Sequence, residues 1–320
     1  MDKILQDNLR KEVKALFEQK KVDLVIGYET GPTKFTTTPV LIKNSEEADR
    51  LVINDFITSN LAKMLVKIKG KAGIVAKGCD SRSIVSLIQD HKVKRENIVI
   101  IGVPCSGIID VGKISRLIGK EPDEIDDITR EKDAVLVTSG SEKKSLPLKE
   151  VLYEHCLACD LSTPAECDVL IGEPASPPLD KVASLAKINE MEKMTAEQRW
   201  QYWKEQMQRC TRCYACRNVC PVCYCERCFV EESEPQWINI APNWQDNLIF
   251  QVIRSIHVAG RCTDCGNCER ACPVGIPLRS LVRKMYDIVD EMFHYKAGTN
   301  KDDLPLMASY ETREAEELIR

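Results

Sequence analysis

Cys210-Thr-Arg-Cys213-Tyr-Ala-Cys216-Arg-Asn-Val-Cys220-Pro221 recurs with the same cysteine spacing as Cys262-Thr-Asp-Cys265-Gly-Asn-Cys268-Glu-Arg-Ala-Cys272-Pro273. Three thiolates three residues apart wrap one iron–sulfur cube, while the fourth, followed by proline, is directed away to the cube of the other run. The spacing therefore predicts one [4Fe-4S] site from Cys210, Cys213, Cys216 and Cys272, and a second from Cys262, Cys265, Cys268 and Cys220. A pair of zinc sites is the competing reading. Zinc ribbons, however, use two separated pairs of ligands rather than four cysteines in an eleven-residue run repeated with proline after each.

The chain has 320 residues and 16 cysteines. A chain of this length buries a core without covalent staples, so the cysteines point to bound metal rather than to disulfides. The stretch from Met1 to Lys21 is charged and lacks an apolar leader-like core, and apolar runs such as Ile98 to Val103 are too short to cross a bilayer. A reducing compartment, the cytoplasm, is expected. A net charge of -4 with both signs interspersed offers no basic stripe to a nucleic acid and disfavours a zinc-finger module. Gly-x-Gly-x-x-Gly, a Walker loop and a Ser-His-Asp arrangement are all missing, so the sequence predicts no active site of its own and assigns no catalytic residue. His155, beside Cys156, reads as support for a ligand or as an exposed side chain rather than as a catalyst.

The chain divides into two halves. From Asp23 to Gly172, continuous apolar runs (Leu24 to Ile26, Val40 to Ile42, Gly73 to Ala76, Ile98 to Ile101, Ala134 to Val137, Val169 to Ile171) alternate with helical patterns at Asn60 to Lys67 and Ser81 to His91. Runs without polar alternation fit strands buried on both faces, so residues 1–172 are expected to form an α/β domain with a mostly parallel sheet. Glu173-Pro-Ala-Ser-Pro-Pro178 begins a linker, taken as 173–194. Residues 195–296 are expected to be all helical. Thr195-Ala-Glu-Gln198 opens a helix with Trp200, Trp203 and Met207 on one face, Ile249, Val252, Ile253 and Ile256 mark a second, and Pro277 starts a third with Leu278, Leu281, Val282 and Met285. Residues 297–320 read as a polar tail, mobile or used for docking.

The two cysteine runs lie 42 positions apart (262 minus 220), with the second of these helices between them. This long helical insertion, with Arg261 to Leu278, resembles the α-helical dicluster ferredoxin domain of succinate dehydrogenase and of the small iron–sulfur subunit of heterodisulfide reductases. Cys223, Cys225 and Cys228 follow the first run within Pro221-Val-Cys-Tyr-Cys-Glu-Arg-Cys. They either hold an additional metal or cluster with a distant thiolate, or stay reduced and seal the first cluster from water.

In the first half, Ala76-Lys-Gly-Cys79 and Ile101-Gly-Val-Pro-Cys105 put two cysteines at the carboxyl edge of a parallel sheet, where α/β proteins bind ligands. Buried unligated thiols are the plainer reading of that pair. With Cys156-x2-Cys159-Asp160 and Cys167-Asp168-Val-Leu-Ile-Gly172, the region from Ile26 to Gly172 resembles the β subunit of the coenzyme F420 hydrogenase and dehydrogenase family, including formate dehydrogenase β subunits. The resemblance implies a third [4Fe-4S] cluster on Cys79, Cys105, Cys156 and Cys159, with Cys167 as substitute, beside a flavin (FAD). Because the family's flavin contacts come largely from sequence beyond the point matching Gly172, where this chain opens a linker, no residue is assigned to flavin. The resemblances imply an electron-transfer subunit in an anaerobe, relaying single electrons between a formate dehydrogenase or hydrogenase partner and a flavin, a heterodisulfide-reductase-like module or ferredoxin. An autonomous flavin-containing deazaflavin- or ferredoxin-dependent reductase and a zinc scaffold are the alternatives.

Overall fold

The computed structural model describes residues 3–177 and 180–309. Pro178 of the expected linker and residues 310–320 of the expected tail lie outside the described residues.

The apolar runs of the first half become β1 (Leu24–Thr30), β2 (Thr37–Ile42), β3 (Ala72–Ala76), β4 (Ile98–Gly102) and, after an excursion, β8 (Val169–Leu170). They form one sheet in the order β2-β1-β3-β4-β8, parallel except at β2, which pairs antiparallel with β1 at the edge. β3 is buried at every position, as its unbroken apolar run requires. Helices α1 (Lys3–Glu18) and α2 (Gly78–Gln89) supply Leu9, Val13, Leu16, Ile84 and Leu87 to the core built on β1, β3 and β4. The helical pattern at Asn60 to Lys67 tightens into a 3-10 helix, Ala62–Lys67.

One expected strand of the parallel sheet belongs elsewhere. The run Ala134 to Val137 lies in β6 (Ala134–Ser139), the centre of an antiparallel meander with β5 (Asp127–Arg130) and β7 (Glu142–Pro147). Its burial alternates, Val135 and Val137 inward, because one face covers a second small core with Ile114 of α3 (Val111–Ile118) and the other meets solvent. Two short helices, α4 (Leu148–Val151) and α5 (Glu154–Leu157), lead from this meander back to the main sheet.

Beyond β8 every regular element of the described residues is helical. Within the expected linker, Lys181–Lys193 forms α6, capped by the Asp180 side chain. Thr195 and Gln198 close the capping box of α7 (Ala196–Gln208). The short α8 (Ala215–Asn218) and α10 (Asn267–Arg270) lie inside the two cysteine runs, with α9 (Trp244–His257) between them and α11 (Leu278–Phe293) after Pro277. α9 is inverted relative to its pattern: Asp246, Asn247, Gln251, Arg254 and Ser255 are buried with Phe250, while Ile249, Val252 and Ile256 are exposed.

The two halves are stitched together directly. Arg82 of α2 donates to the Ala297 carbonyl and to the Tyr286 hydroxyl, and Gln89 donates to the carbonyls of Asn300 and Asp303. Residues 297–309 of the expected tail therefore fold back on α2. Gly298, at φ +70°, lies so close that a Cβ there would sit 2.0 Å from the Arg82 carbonyl oxygen.

Candidate iron–sulfur centres

The two cysteine runs fold into matching loops. Arg212 and Asp264 have φ of 52° and 51°, and Tyr214 and Gly266 have φ of 58° and 69°, at equivalent positions of each run. Left-handed residues alternating with ordinary ones turn successive backbone N–H groups toward a common concavity, the arrangement that favours an anionic core. Each loop is pinned from outside. Buried Arg212 donates to the Asn247 side chain and to the carbonyls of Asn239 and Ala241. Asp264 accepts from Arg279 at 2.7 Å and from Arg283 at 2.8 Å. Burial alone would push the Asp264 carboxyl up, but the two guanidiniums hold it below the ordinary range.

Cys210, Cys213, Cys216 and Cys272 line one small cavity under Phe250 and Ile276. The Ile276 amide donates to Cys272 Sγ at 3.3 Å, and the Gln251 amide to Cys216 Sγ at 3.6 Å. The second set gathers Cys220 of the first run among the second. The Cys262, Cys265 and Cys268 thiols each carry an electrostatic contribution from Cys220, and Cys220, Cys262 and Cys268 pack around Val222, Val258 and Val282. Cys220 of the first run thus lies among the thiols of the second.

In the first half, Cys79 sits on the first turn of α2 beyond β3, and Cys105 lies beyond the end of β4. α5 and the turn after it deliver Cys156 and Cys159, and all four line one cavity. Cys167 is not among them: it packs against Pro164 and the backbone of Gly102, just before β8. Burial pushes Cys156 up to about 12 and Cys159 to about 11, and raises Cys79 and Cys105 as well. Thiols so placed keep their protons until a metal displaces them. Among the described residues no three His, Cys, Asp or Glu side chains close on the single point a lone metal ion needs. The Cys79 and Cys210 sets each line a cavity instead, an arrangement suited to a core of several atoms.

Residues 69–196 match the family model for the C-terminal part of the coenzyme F420 hydrogenase/dehydrogenase beta subunit, and residues 205–276 match that for a 4Fe-4S dicluster domain. The chain joins a coenzyme F420 hydrogenase/dehydrogenase β-subunit region to a 4Fe-4S dicluster domain. The β subunit of F420-dependent formate dehydrogenase from Methanocaldococcus jannaschii is 26% identical over 92% of both chains. That of F420-dependent formate dehydrogenase 1 from Methanococcus maripaludis is 24% identical over 92% of this chain and 91% of its own. A chain of the F420-reducing [NiFe] hydrogenase complex from Methanosarcina barkeri overlays with a TM-score of 0.40 at 13% identity, covering 65% of this chain and 89% of that one.

The β-subunit region and the dicluster domain meet at their thiols. Thr263, Asp264 and Arg270 of the second cysteine run line the same cavity as Cys79, and the Ser83 and Thr263 hydroxyls hydrogen-bond at 2.9 Å. His155 is buried, its Nε2 3.4 Å from Cys156 Sγ, and its ring accepts from Arg270, which also donates to the Cys265 and Thr58 carbonyls. Burial and the neighbouring Arg270 hold the imidazole neutral. Of the two readings the sequence allows for His155, burial removes the exposed one.

Cys223, Cys225 and Cys228 line a separate cleft of about 610 Å³ flanking the dicluster domain, with His257, Lys63, Lys67, Arg217 and Arg261. Tyr224 anchors this loop by donating to Asp90 at the end of α2 and accepting from Arg261. A hydrogen bond from Cys220 shifts the Cys223 thiol down, the opposite direction from the buried ligand candidates. The cations facing this cleft gave no joint signal in the sequence, because they come from three separate segments. No helix among the described residues is long and apolar enough to cross a membrane.

Proposed function

We propose that this chain is an electron-transfer iron–sulfur subunit of a multisubunit oxidoreductase. It relays single electrons between a formate dehydrogenase- or hydrogenase-type catalytic partner and a flavin, a heterodisulfide-reductase-like module or ferredoxin. The observation that carries the reading is the adjacency of three four-cysteine sets: the cavity lined by Cys79, Cys105, Cys156 and Cys159 is also lined by Thr263, Asp264 and Arg270 of the second cysteine run. Each bound cluster takes up and returns one electron. The chain's own residues then have defined tasks. Cys79, Cys105, Cys156 and Cys159 hold the third centre, and the two dicluster sets hold the other two. His155, neutral and buried, fixes Cys156 against Arg270, whose contact to the Cys265 carbonyl sets the spacing between the two regions. The relatives' names, both formate dehydrogenase β subunits, support the partner class.

The test is iron, acid-labile sulfide and flavin per chain on protein purified without oxygen, with EPR of the reduced sample. About twelve iron and twelve sulfide without flavin are expected for three clusters. About sixteen would bring Cys223, Cys225 and Cys228 into a fourth. Stoichiometric flavin would point instead to a reductase, and zinc without sulfide would overturn the reading.

A further inference from the structure

α9 buries its polar face, and one residue on that face has no protein group to satisfy it. Arg254 is 3% exposed. Its Nε donates to the Gln251 side chain at 3.0 Å, but Nη1 and Nη2 are buried with no hydrogen-bond partner among the described residues. A guanidinium is costly to bury and costlier to leave unpaired, so a native fold places an acceptor in front of it. The groups that weigh on it most are thiols rather than a carboxylate: Cys268, Cys216, Cys220 and Cys223 in that order. Cys216 belongs to the first dicluster set, Cys220 and Cys268 to the second. The neighbouring Gln251 already donates to Cys216 Sγ, so this stretch of α9 is turned toward sulfur.

We propose that Arg254 is a positioning residue shared by both dicluster sites, its free guanidinium nitrogens donating to the sulfur held by Cys216, Cys220 and Cys268 and so setting the midpoint potentials there. The inference rests on the electron-transfer reading and adds to it a determinant of potential. Hydrogen bonds to sulfur and net charge are what tune such potentials. A buried cation between two anionic centres favours the more negative, reduced form, so Arg254 raises the midpoints. The cations of the neighbouring cleft, half-buried or exposed, are partly screened by water and do so less.

The test is an EPR-monitored redox titration of the full-length chain, purified without oxygen, as wild type, Arg254→Gln and Arg254→Lys, with iron and sulfide measured on each. With iron unchanged, Arg254→Gln is expected to lower the reduced-to-oxidised ratio of a dicluster signal at the wild-type midpoint about tenfold, a shift of roughly 59 mV to more negative potential. Arg254→Lys, which keeps the charge but not the fork, should shift it less. Full loading with unmoved midpoints in Arg254→Gln overturns the proposal. If that variant loads less iron, Arg254→Lys decides. Full loading with a midpoint moved the same way supports the proposal, while an unmoved midpoint or equal iron loss overturns it. Wild-type protein lacking iron and sulfide would remove the electron-transfer reading itself, a failure distinct from unmoved midpoints in loaded protein.

Discussion

At the scale of single residues, the centre in the β-subunit region depends on two contacts that the side-chain chemistry alone would not reveal. Gly78 precedes Cys79, and a Cβ built there would sit 1.7 Å from the Leu161 carbonyl oxygen. That oxygen is backbone, so no rotamer change relieves the clash, and the turn carrying Cys159 would have to move away from Cys79. Gly78→Ala is therefore expected to lose about four iron per chain while the two dicluster EPR signals persist, as read by iron analysis and spin quantitation. Loss of all signals would mean instead that the β-subunit region fails to fold. Cys167 gives a sharper contrast, because the sequence reading kept it as the substitute ligand, yet it packs against Pro164 and Gly102 outside the cavity. Cys105→Ala should lose about four iron per chain and Cys167→Ala none. Equal losses would exclude the cavity as the third centre.

At the scale of elements, α9 shows where a hydrophobic pattern misleads. Ile249, Val252 and Ile256 form the stripe that ordinarily marks a buried face, yet all three are exposed, while Asn247, Gln251 and Arg254 turn inward. The reversal follows from what lies beneath: a core of thiols and loop carbonyls demands donors, which isoleucine cannot supply. Asn247 shows the cost. It donates to the Met207 and Cys210 carbonyls and accepts from buried Arg212, so Asn247→Ala should destabilise the protein by about 1–3 kcal/mol, whereas Ile256→Gln should stay within about 0.5 kcal/mol of wild type. Anaerobic denaturant titration separates the two, and a costly Ile256→Gln would mean that this face is covered in solution. The same reasoning explains what the sequence made legible. The repeated cysteine run carries its own pattern in its spacing, so a 4Fe-4S dicluster domain could be read before any fold was known. The interior strands at Ala72 to Ala76 and Ile98 to Gly102 were equally plain, because burial on both faces leaves no polar alternation. The run Ala134 to Val137 misled because four apolar residues look alike in a parallel centre and in a meander, and only partners tell them apart. The convergence of Cys79 and Cys105 on Cys156 and Cys159, across a whole meander, could be anticipated only through the family resemblance.

At the scale of the molecule, the junction between halves is also where the candidate centres of the two halves meet, so the contacts that hold the halves together also fix the distance between those candidate centres. Arg270 ties the second cysteine run to Thr58 and His155, Lys63 donates to the Arg217 carbonyl, Ser83 meets Thr263, and Arg82 and Gln89 hold residues 297–303 on α2. Several of these are buried hydrogen bonds to backbone, which, unlike surface ion pairs, salt does not screen away. The covalent connection, by contrast, runs through exposed Glu173 and Pro174. A protease that nicks residues 173–177 should therefore leave a complex that elutes at the size of the intact chain and keeps its EPR spectrum, even in about 0.5 M salt, where exposed pairs are weakened. Two separated fragments after nicking would show that the chain connection, not the interface, holds the Cys79 set beside the Cys265 set. The spacing between centres would then vary with the linker, and a relay through the junction would lose the fixed geometry that Arg270 and His155 give it.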